Sequence, residues 1–291
     1  MIIITLALTY LTTAIVYREC TKPGKFALTF DDGPAEYTPQ LLKHLKDANV
    51  KATFHLSTQN LLDPSVQSMV KRINRDGHLI GVRTEPNWDL AKMNEDQIGS
   101  AVARQSDVMA SFIGYFPVLV RLPYGKSTGK VKEAIEKAGG IITIHNLESY
   151  DYTNDLNRIK NSFNVALGLK SSKSASFISL QHDANKASID AVPSIISAIK
   201  GAGYELVTLD DCIGKGNLRE NKTAMKGGKD AGPIPTVEGG NDDIPDAKPD
   251  GSSDGDEGDK KVVGLSGAER AVNVLSQSIL GMTLLAMVLV L

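Results

Sequence analysis

The chain has 291 residues, of which 42% are hydrophobic and 23% are charged, and its formal net charge is −2. This composition is typical of a globular protein and excludes a chain that is disordered throughout. No basic patch is large enough to indicate nucleic-acid binding, and two cysteines are too few for a zinc finger or a disulfide-rich scaffold.

The first 17 residues are uncharged and mostly apolar, and Arg18 and Glu19 follow them. So short a run does not comfortably span a bilayer, and it fits the core of a secretory signal peptide. We therefore predict a signal peptide over residues 1–17 and secretion of the mature chain. The alternative is that the run forms a buried first strand or helix.

The last residues, 279–291, form an apolar tail behind a polar spacer, and the small residues Ser266, Gly267 and Ala268 precede the spacer. This order is the pattern of a glycosylphosphatidylinositol (GPI) attachment signal, which we predict over residues 266–291. The protein is then expected at the cell surface or cell wall, with a lipid anchor as its sole contact with the membrane. The alternative is one C-terminal span, for which a helical length of about 20 Å is short.

Before the predicted GPI signal, the composition changes to one that is poor in large apolar residues. Residues 227–259 are rich in glycine, proline and acidic side chains and almost lack large apolar ones. Such a segment cannot bury enough surface to offset its ordering entropy, so we predict a disordered stalk over residues 214–265 and a folded domain over residues 18–213. Asn221 begins a glycosylation sequon near the start of the stalk.

The two cysteines, Cys20 and Cys212, stand at the two ends of the predicted domain. In a secreted protein an even pair favours a disulfide, which here would close the whole domain. The alternative is two free buried thiols.

Short apolar runs alternate with amphipathic stretches along the domain. The predicted strands, in chain order, cover residues 26–30, 52–56, 78–82, 117–122, 141–145, 176–180 and 204–208. The predicted helices between them cover residues 39–48, 66–75, 95–111, 130–138, 155–169 and 189–201. This order predicts an α/β fold with about seven parallel strands and crossover helices, closed or nearly closed into a barrel. Chemistry in such folds gathers at the C-terminal ends of the strands.

Polar motifs follow three of these strands. The first strand ends in TFDDGP at residues 29–34, and later strands lead into RLPYG at residues 121–125 and LQHD at residues 180–183. Adjacent carboxylates at a strand end suit a base beside a metal ligand, although Asp-Asp-Gly-Pro alone is also an ordinary turn. Together, and in this order, the motifs resemble those of the polysaccharide deacetylases of the NodB-homology type (carbohydrate esterase family 4), which include the fungal chitin deacetylases.

The resemblance extends over about residues 26–210 and implies a distorted (β/α) barrel. It implies that Asp31 is the base that activates water and that Asp32 is the carboxylate ligand of a divalent metal, usually zinc or cobalt. It further implies that Arg121 orients the base through a charge-assisted hydrogen bond, and that the main-chain N–H of Tyr124 helps to hold the oxyanion.

The same resemblance makes His182 the general acid that protonates the leaving amine, with Asp151 setting its acidity. The motif around Asp151 departs from the family pattern, which prefers Asp at position 148 and Trp at position 152, where this chain has Glu148 and Tyr152.

The second family motif departs further. The family reads roughly GHxIGNHTxxHPxL, and this chain reads GHLIGVRTEPNWDL at residues 77–90. Arg83 and Asn87 therefore stand where the resemblance places the two metal-binding histidines. Arginine stays protonated and offers no lone pair, so the site implied by the family is expected to be lost. We predict an Arg83–Asp32 ion pair in its place; the alternative is that Arg83 is a tolerated surface residue.

Other histidines offer the remaining route to a metal site. His44 lies on a predicted helix and His78 begins a strand, whereas His55 and His145 follow or end strands and are the candidates for a rescued site. A lone histidine at such a place is more often a hydrogen-bonded structural residue.

Of three functions, the sequence favours the first, because two metal ligands of the family are missing. The first is an inactive deacetylase homologue that binds chitin or a chitooligosaccharide-like glycan, with Trp88 and Tyr152 as faces for sugar rings. The second is an active chitin deacetylase with an altered site, and the third is a display scaffold with an unrelated role such as adhesion.

Overall fold

A computed structural model describes residues 15–59, 61–123 and 128–227. Its strands are β1 (Val16–Tyr17), β2 (Lys25–Ala27), β3 (Thr29–Asp31), β4 (Thr53–Leu56), β5 (Leu79–Arg83), β6 (Leu119–Arg121), β7 (Ile141–Thr143), β8 (Leu147–Glu148), β9 (Phe177–His182) and β10 (Glu205–Val207). Its helices are α1 (Thr38–Asp47), α2 (Pro64–Arg75), α3 (Glu95–Ile113), α4 (Gly129–Ala138), α5 (Leu156–Leu169), α6 (Lys186–Gly201) and the short α7 (Leu209–Cys212).

The strands form a sheet in the order β1-β7-β6-β5-β4-β3-β9-β2-β10, and β8 pairs with β9 beside this path. All of these pairings are parallel. Helices connect most successive strands, as parallel pairing requires. The predicted α/β fold, a distorted (β/α) barrel of parallel strands, is confirmed, and each predicted strand and helix has a counterpart.

The first predicted strand, residues 26–30, is in fact two strands. β2 pairs with β10 and β9, whereas β3 pairs with β4 and β9. Between them the Leu28 carbonyl accepts a hydrogen bond from the main-chain N–H of Thr53 at 3.0 Å. Because β9 is six residues long, it pairs with both segments and brings its last residue, His182, opposite Asp31.

Local signals set the helix ends. The Asn94 side chain accepts from the main-chain N–H of Gln97, and the Gln97 side chain accepts from that of Asn94, so that α3 begins with a capping box. The helix ends at Gly114, whose φ of 79° is left-handed and suits glycine. Asp63 caps α2 in a similar way through Ser65.

The core is apolar and aromatic. Phe26, Phe163, Phe177 and Tyr204 pack together with ring centroids 5.4–6.1 Å apart, and Phe30 stacks on Phe54 at 5.5 Å. Each of these six rings is at most 4% exposed. This packing holds β2, β3 and β4 rigidly behind their C-terminal ends, where the site lies.

The predicted disulfide is confirmed. Cys20 and Cys212 are bonded, with their Cα atoms 4.5 Å apart, and the bond closes a loop with a sequence separation of 192. Nearby, the main-chain N–H of Thr21 donates to the Cys212 carbonyl at 2.9 Å, so the segment before β2 is joined to the end of α7 by a disulfide and a hydrogen bond.

The ordered domain extends beyond the predicted boundary at residue 213. Arg219 donates to the carbonyls of Asn74 and His78 at 2.8 and 3.1 Å, and Asn221 donates to that of Phe116 at 2.8 Å. Met225 is only 6% exposed. The start of the predicted stalk at residue 214 is therefore wrong, because its first part finds partners on the domain. Residues 228–265 of the stalk and the predicted GPI signal lie outside the described residues.

At the other end, β1 pairs with β7 through Val16 and Tyr17. The predicted signal peptide overlaps this strand by its last residues, and residues 1–14 lie outside the described ranges. Across the part of the chain that the structure describes, no helix is long and apolar enough to cross a membrane.

Candidate functional site

The predicted site residues meet at the C-terminal ends of neighbouring parallel strands. Asp31 ends β3 and lies in register with His55 of β4 on one side and His182 of β9 on the other. Further along the sheet, Arg83 of β5 is in register with Arg121 of β6. The sheet therefore brings side chains that are far apart in sequence to one edge.

Asp31 lies at the centre of this group and is 1% exposed. Its Oδ1 accepts from Nη1 of Arg121 at 3.1 Å and lies 3.1 Å from Nδ1 of His55. Burial by itself raises the pKa of Asp31, but Arg121, His55 and Arg83 outweigh it and hold that pKa far below its usual value. The structure thus places Arg121 where the resemblance expects it, as a partner of Asp31.

Arg121 is itself fully engaged. Its Nη1 donates to Thr29 Oγ1 at 2.6 Å, and its Nη2 donates to the carbonyl of Ile144 at 3.3 Å. Burial lowers the pKa of Arg121, and Asp31 opposes that change. Thr29 carried no role in the sequence analysis, although it stands two residues before Asp31 and so shares its face of the strand.

The predicted ion pair between Arg83 and Asp32 is present. Nε of Arg83 donates to Oδ1 of Asp32 at 2.8 Å and lies 3.7 Å from Oδ2 of Asp31. The side chain of Arg83 is 10% exposed and that of Asp32 is 45% exposed. Asp32 has a left-handed φ of 65°, which turns its carboxylate away from the strand direction and towards the mouth of the site. The alternative, a tolerated surface arginine, is wrong.

A buried network holds the segment that follows Arg83. Nε2 of Gln105 donates to the Arg83 carbonyl at 2.9 Å and to Oε1 of Glu85 at 2.8 Å. The same oxygen accepts from the main-chain N–H and the hydroxyl of Thr58 at 2.8 and 2.7 Å. Helix α3 and the turn after β4 thus fix the backbone that carries Arg83.

His182 and Asp151 form the other half of the site. Nδ1 of His182 lies 2.9 Å from Oδ1 of Asp151, and its Nε2 lies 3.5 Å from Oδ2 of Asp32. Burial lowers the pKa of His182, but the hydrogen bond to Asp151 and the charges of Asp151, Asp31 and Asp32 raise it overall to about 9. The structure therefore places Asp151 and His182 together as predicted, with His182 reaching Asp32 as well.

His55 is a structural partner of the site. It is fully buried, and its Nε2 lies 3.1 Å from the hydroxyl of Thr143 while Nδ1 faces Asp31. Burial and the charge of Arg121 lower its pKa to about 4 despite Asp31. The sequence singled it out because it lies at the end of a predicted strand; in the structure it is in register with Asp31, and both of its ring nitrogens are already engaged.

The remaining predicted residues lie elsewhere. Asn87 is exposed in a turn after β5, and Nε2 of His145 lies 3.3 Å from Glu148. Trp88 is half-buried and packs against the core, so it offers less free surface than expected. Tyr124 lies outside the described residues.

Two tyrosines flank Asp151 at the mouth of the site. The rings of Tyr150 and Tyr152 meet edge to face at 6.2 Å, and the guanidinium of Arg158 lies over Tyr150 at 4.9 Å. Tyr150 has a left-handed φ of 58°, and both tyrosines are half-buried. Tyr150 was not singled out from the sequence, because an aromatic residue in a loop carries no signal of its own.

These residues do not fit the zinc or cobalt ion that the family resemblance implies. A cationic guanidinium, which has no lone pair, occupies the space beside Asp32. Within the described ranges, no three His, Cys, Asp or Glu side chains converge closely enough to hold a metal ion. Neither His55 nor His145 supplies a replacement ligand in this arrangement.

Comparisons with known proteins agree with the fold. A family model described as polysaccharide deacetylase matches residues 18–140. A chitin deacetylase of Pestalotiopsis sp. is 35% identical over 200 residues. The match covers 67% of this chain and 65% of the Pestalotiopsis protein, which is slightly less than two thirds of that relative. A peptidoglycan-N-acetylglucosamine deacetylase of Bacillus cereus is 33% identical over 193 residues, which are 64% of this chain and 67% of that one.

Among solved structures, the chitin deacetylase of Colletotrichum lindemuthianum has a TM-score of 0.65 at 29% identity and covers 70% of this chain and 93% of its own. The strand order, the convergence of Asp31, Arg121 and His182, and these similarities lead to one conclusion. The chain belongs to the polysaccharide deacetylase family.

Proposed function

We propose that this protein is a polysaccharide deacetylase homologue without hydrolytic activity, which associates with chitin-like glycan at a cell surface or wall. The observation that carries the proposal is the 2.8 Å contact between Arg83 and Asp32. It fills with a fixed cation the place where the family resemblance puts a metal ion. Arg83 supplies a positive charge there but has no vacant coordination position, so it does not act as a Lewis acid on an acetyl carbonyl.

The glycan part of the proposal rests on the mouth of the site. Aromatic faces bind the apolar faces of sugar rings, and the rings of Tyr150 and Tyr152 meet edge to face next to Asp151. Relatives are named as chitin and peptidoglycan-N-acetylglucosamine deacetylases, which supports a polymer of N-acetylglucosamine type as the partner.

The location proposed for the protein rests on the two terminal segments and on the disulfide. Disulfides persist in oxidising compartments, and the Cys20–Cys212 bond is consistent with secretion. Secretion, the GPI anchor and glycosylation of Asn221 remain proposals. The Asn221 side-chain nitrogen, to which a glycan would attach, donates to the Phe116 carbonyl in the folded domain.

A second candidate is an active chitooligosaccharide deacetylase. The Asp31–Arg121 and His182–Asp151 contacts are both kept, at 3.1 and 2.9 Å, and these favour it. The two candidates differ in one measurable property, the release of acetate.

The test measures acetate released from chitooligosaccharides, with and without added zinc or cobalt. We expect none from the natural sequence, and Asp31→Asn provides the background. Acetate above that background would establish the second candidate. The double variant Arg83→His/Asn87→His, which returns the side chains of the family motif, is expected to release acetate when zinc is added.

Glycan association is tested separately by retention on chitin beads and its competition by soluble chitooligosaccharide. We expect Tyr152→Ala to lower retention severalfold. Phe112→Ala, which truncates another half-buried aromatic on α3 away from the site, is the matched control and is expected to bind normally. Retention that soluble glycan does not compete for would contradict glycan binding and favour the scaffold hypothesis.

A further inference from the structure

We propose that Arg83 is a resident cation that compensates the charges of Asp31 and Asp32, so that the folded domain depends on this guanidinium and not on a divalent ion. The proposal concerns the same site as the proposed function, but its subject is stability. It holds or fails whether or not acetate is released.

The first step is the position of the charge. Nε of Arg83 lies 2.8 Å from Asp32 and 3.7 Å from Asp31, so one guanidinium faces two adjacent carboxylates. The Oδ2 atom of Asp31 that faces Arg83 is buried and accepts no hydrogen bond from the described residues. Arg83 is therefore the group that compensates this side of the Asp31 carboxylate.

The second step is the balance of charge in the site. Three carboxylates, those of Asp31, Asp32 and Asp151, face three basic side chains, and the pairs are Asp31–Arg121, Asp32–Arg83 and Asp151–His182. Removal of Arg83 leaves two neighbouring carboxylates with Arg121 and a shared histidine. Uncompensated charge beside a buried carboxylate is strongly unfavourable.

The third step is that the backbone holds Arg83 in place. Its carbonyl accepts from Gln105, and Gln105 is tied to Glu85, whose Oε1 also binds Thr58. The buried Gln105 and Glu85 and the half-buried Thr58 thus fix the backbone that carries the Arg83 side chain.

The same geometry predicts what a neutral residue at position 83 would leave behind. Oxygens of Asp31 and Asp32 would face an open space, with Nε2 of His182 3.5 Å from Asp32 Oδ2. Divalent cations are attracted to neighbouring carboxylates, and the fixed positive charge of a guanidinium at this place repels them. We therefore infer that Arg83 also excludes divalent ions from the natural protein.

The experiment follows thermal unfolding of the full chain in EDTA and in zinc chloride. We expect the same midpoint in both for the natural sequence. Arg83→Gln is expected to lower the midpoint by about 5–10 °C in EDTA, and Arg83→Lys by less, because the lysine keeps the charge. Arg83→His is expected to be destabilised in EDTA and to regain several degrees when zinc is added.

Two controls keep the result specific. Arg104→Gln removes an exposed arginine on α3 and is expected to have the same midpoints as the natural sequence in EDTA and in zinc. Any zinc bound by the acidic C-terminal segment affects both proteins equally. The double variant Arg83→Gln/Asp32→Asn removes both charges of the pair and is expected to recover part of the lost midpoint.

The proposal is overturned if zinc raises the midpoint of the natural sequence above its midpoint in EDTA, or if Arg83→Gln is as stable as the natural sequence. Failure of Arg83→Gln to fold at all, with Arg83→Lys folded, would support it. These outcomes are independent of the acetate assay, so failure of this inference and failure of the proposed function are distinguished.

Discussion

His182 and Asp151 are joined twice: the main-chain N–H of His182 donates to Oδ2 of Asp151 at 2.6 Å, and its ring Nδ1 lies 2.9 Å from Oδ1. Both carboxylate oxygens are therefore committed to one residue. The contact fixes the imidazole with Nε2 towards Asp32 and stabilises its protonated form.

This contact predicts a pH dependence of stability. The pKa of His182 is raised to about 9 in the folded protein, above the value of about 6.5 expected when unfolded. The stabilisation is then fully present below pH 6.5 and is lost as the pH rises through 9. We expect a loss of about 2–3 kcal/mol in the free energy of unfolding across this window, measured by urea denaturation.

His182→Gln is expected to be less stable than the natural sequence below pH 6.5. Its free energy of unfolding is expected to change less with pH between 6.5 and 9. The matched variant His145→Gln changes a histidine that pairs with Glu148 outside this group and should keep the natural profile. Equal slopes for His182→Gln and the natural sequence would contradict the assignment.

Gly33 is expected to tolerate no side chain. A Cβ at this position would collide with both carboxylate oxygens of the buried Asp183, whose Oδ2 accepts from the Thr38 hydroxyl at 2.5 Å. Burial raises the pKa of Asp183 to about 6 against the effect of Thr38. Gly33→Ala is predicted to lower the free energy of unfolding by at least about 2 kcal/mol.

The control is Gly168→Ala on α5, where a Cβ meets nothing within 4 Å. Alanine is the better helix former, so this variant should gain up to about 1 kcal/mol. Glycine-to-alanine substitution is thus expected to lower the free energy of unfolding at Gly33 and to raise it at Gly168. A small effect at Gly33 would show that the turn after Asp32 adapts to the added methyl group.

The segment after α7 is predicted to stabilise the domain. Arg219→Ala removes hydrogen bonds to the carbonyls of Asn74 and His78, and Met225→Ala removes a side chain that is 6% exposed. We expect losses of about 1–3 and 2–4 kcal/mol, measured by chemical denaturation. Lys173→Ala, at an exposed loop position, serves as control. If neither variant lowers the free energy of unfolding, the segment after residue 213 does not contribute to the domain, and the predicted boundary at residue 213 stands.

The disulfide is predicted to contribute strongly, because a sequence separation of 192 leaves the unfolded chain with a large loop. The chain-entropy model gives an upper value of about 5 kcal/mol for such a loop. Cys20→Ala/Cys212→Ala should unfold at a lower denaturant concentration than the natural sequence, and reductant should bring the natural sequence to the same midpoint. A midpoint that reductant leaves unchanged would contradict this role.

Much of the fold was predictable from the order of residues. Buried parallel strands appear as short apolar runs, and amphipathic helices separate them, so all seven predicted strands were found. The strands β1 and β8 were missed because each has two residues, too few to produce a periodic pattern. The boundary at residue 213 was wrong because the contacts of Arg219 and Met225 are with distant parts of the chain.

By itself, the sequence determined the family, the candidate residues Asp31, Asp32, Arg121 and His182, and the placement of Arg83 in a ligand position of the motif. Only the tertiary structure decided their partners: that Arg83 binds Asp32, that His55 faces Asp31, and that Glu85 and Gln105 hold the Arg83 backbone. The physical reason is that a motif specifies which groups stand at strand ends, whereas charge compensation depends on distances across the sheet, which strand order and register set.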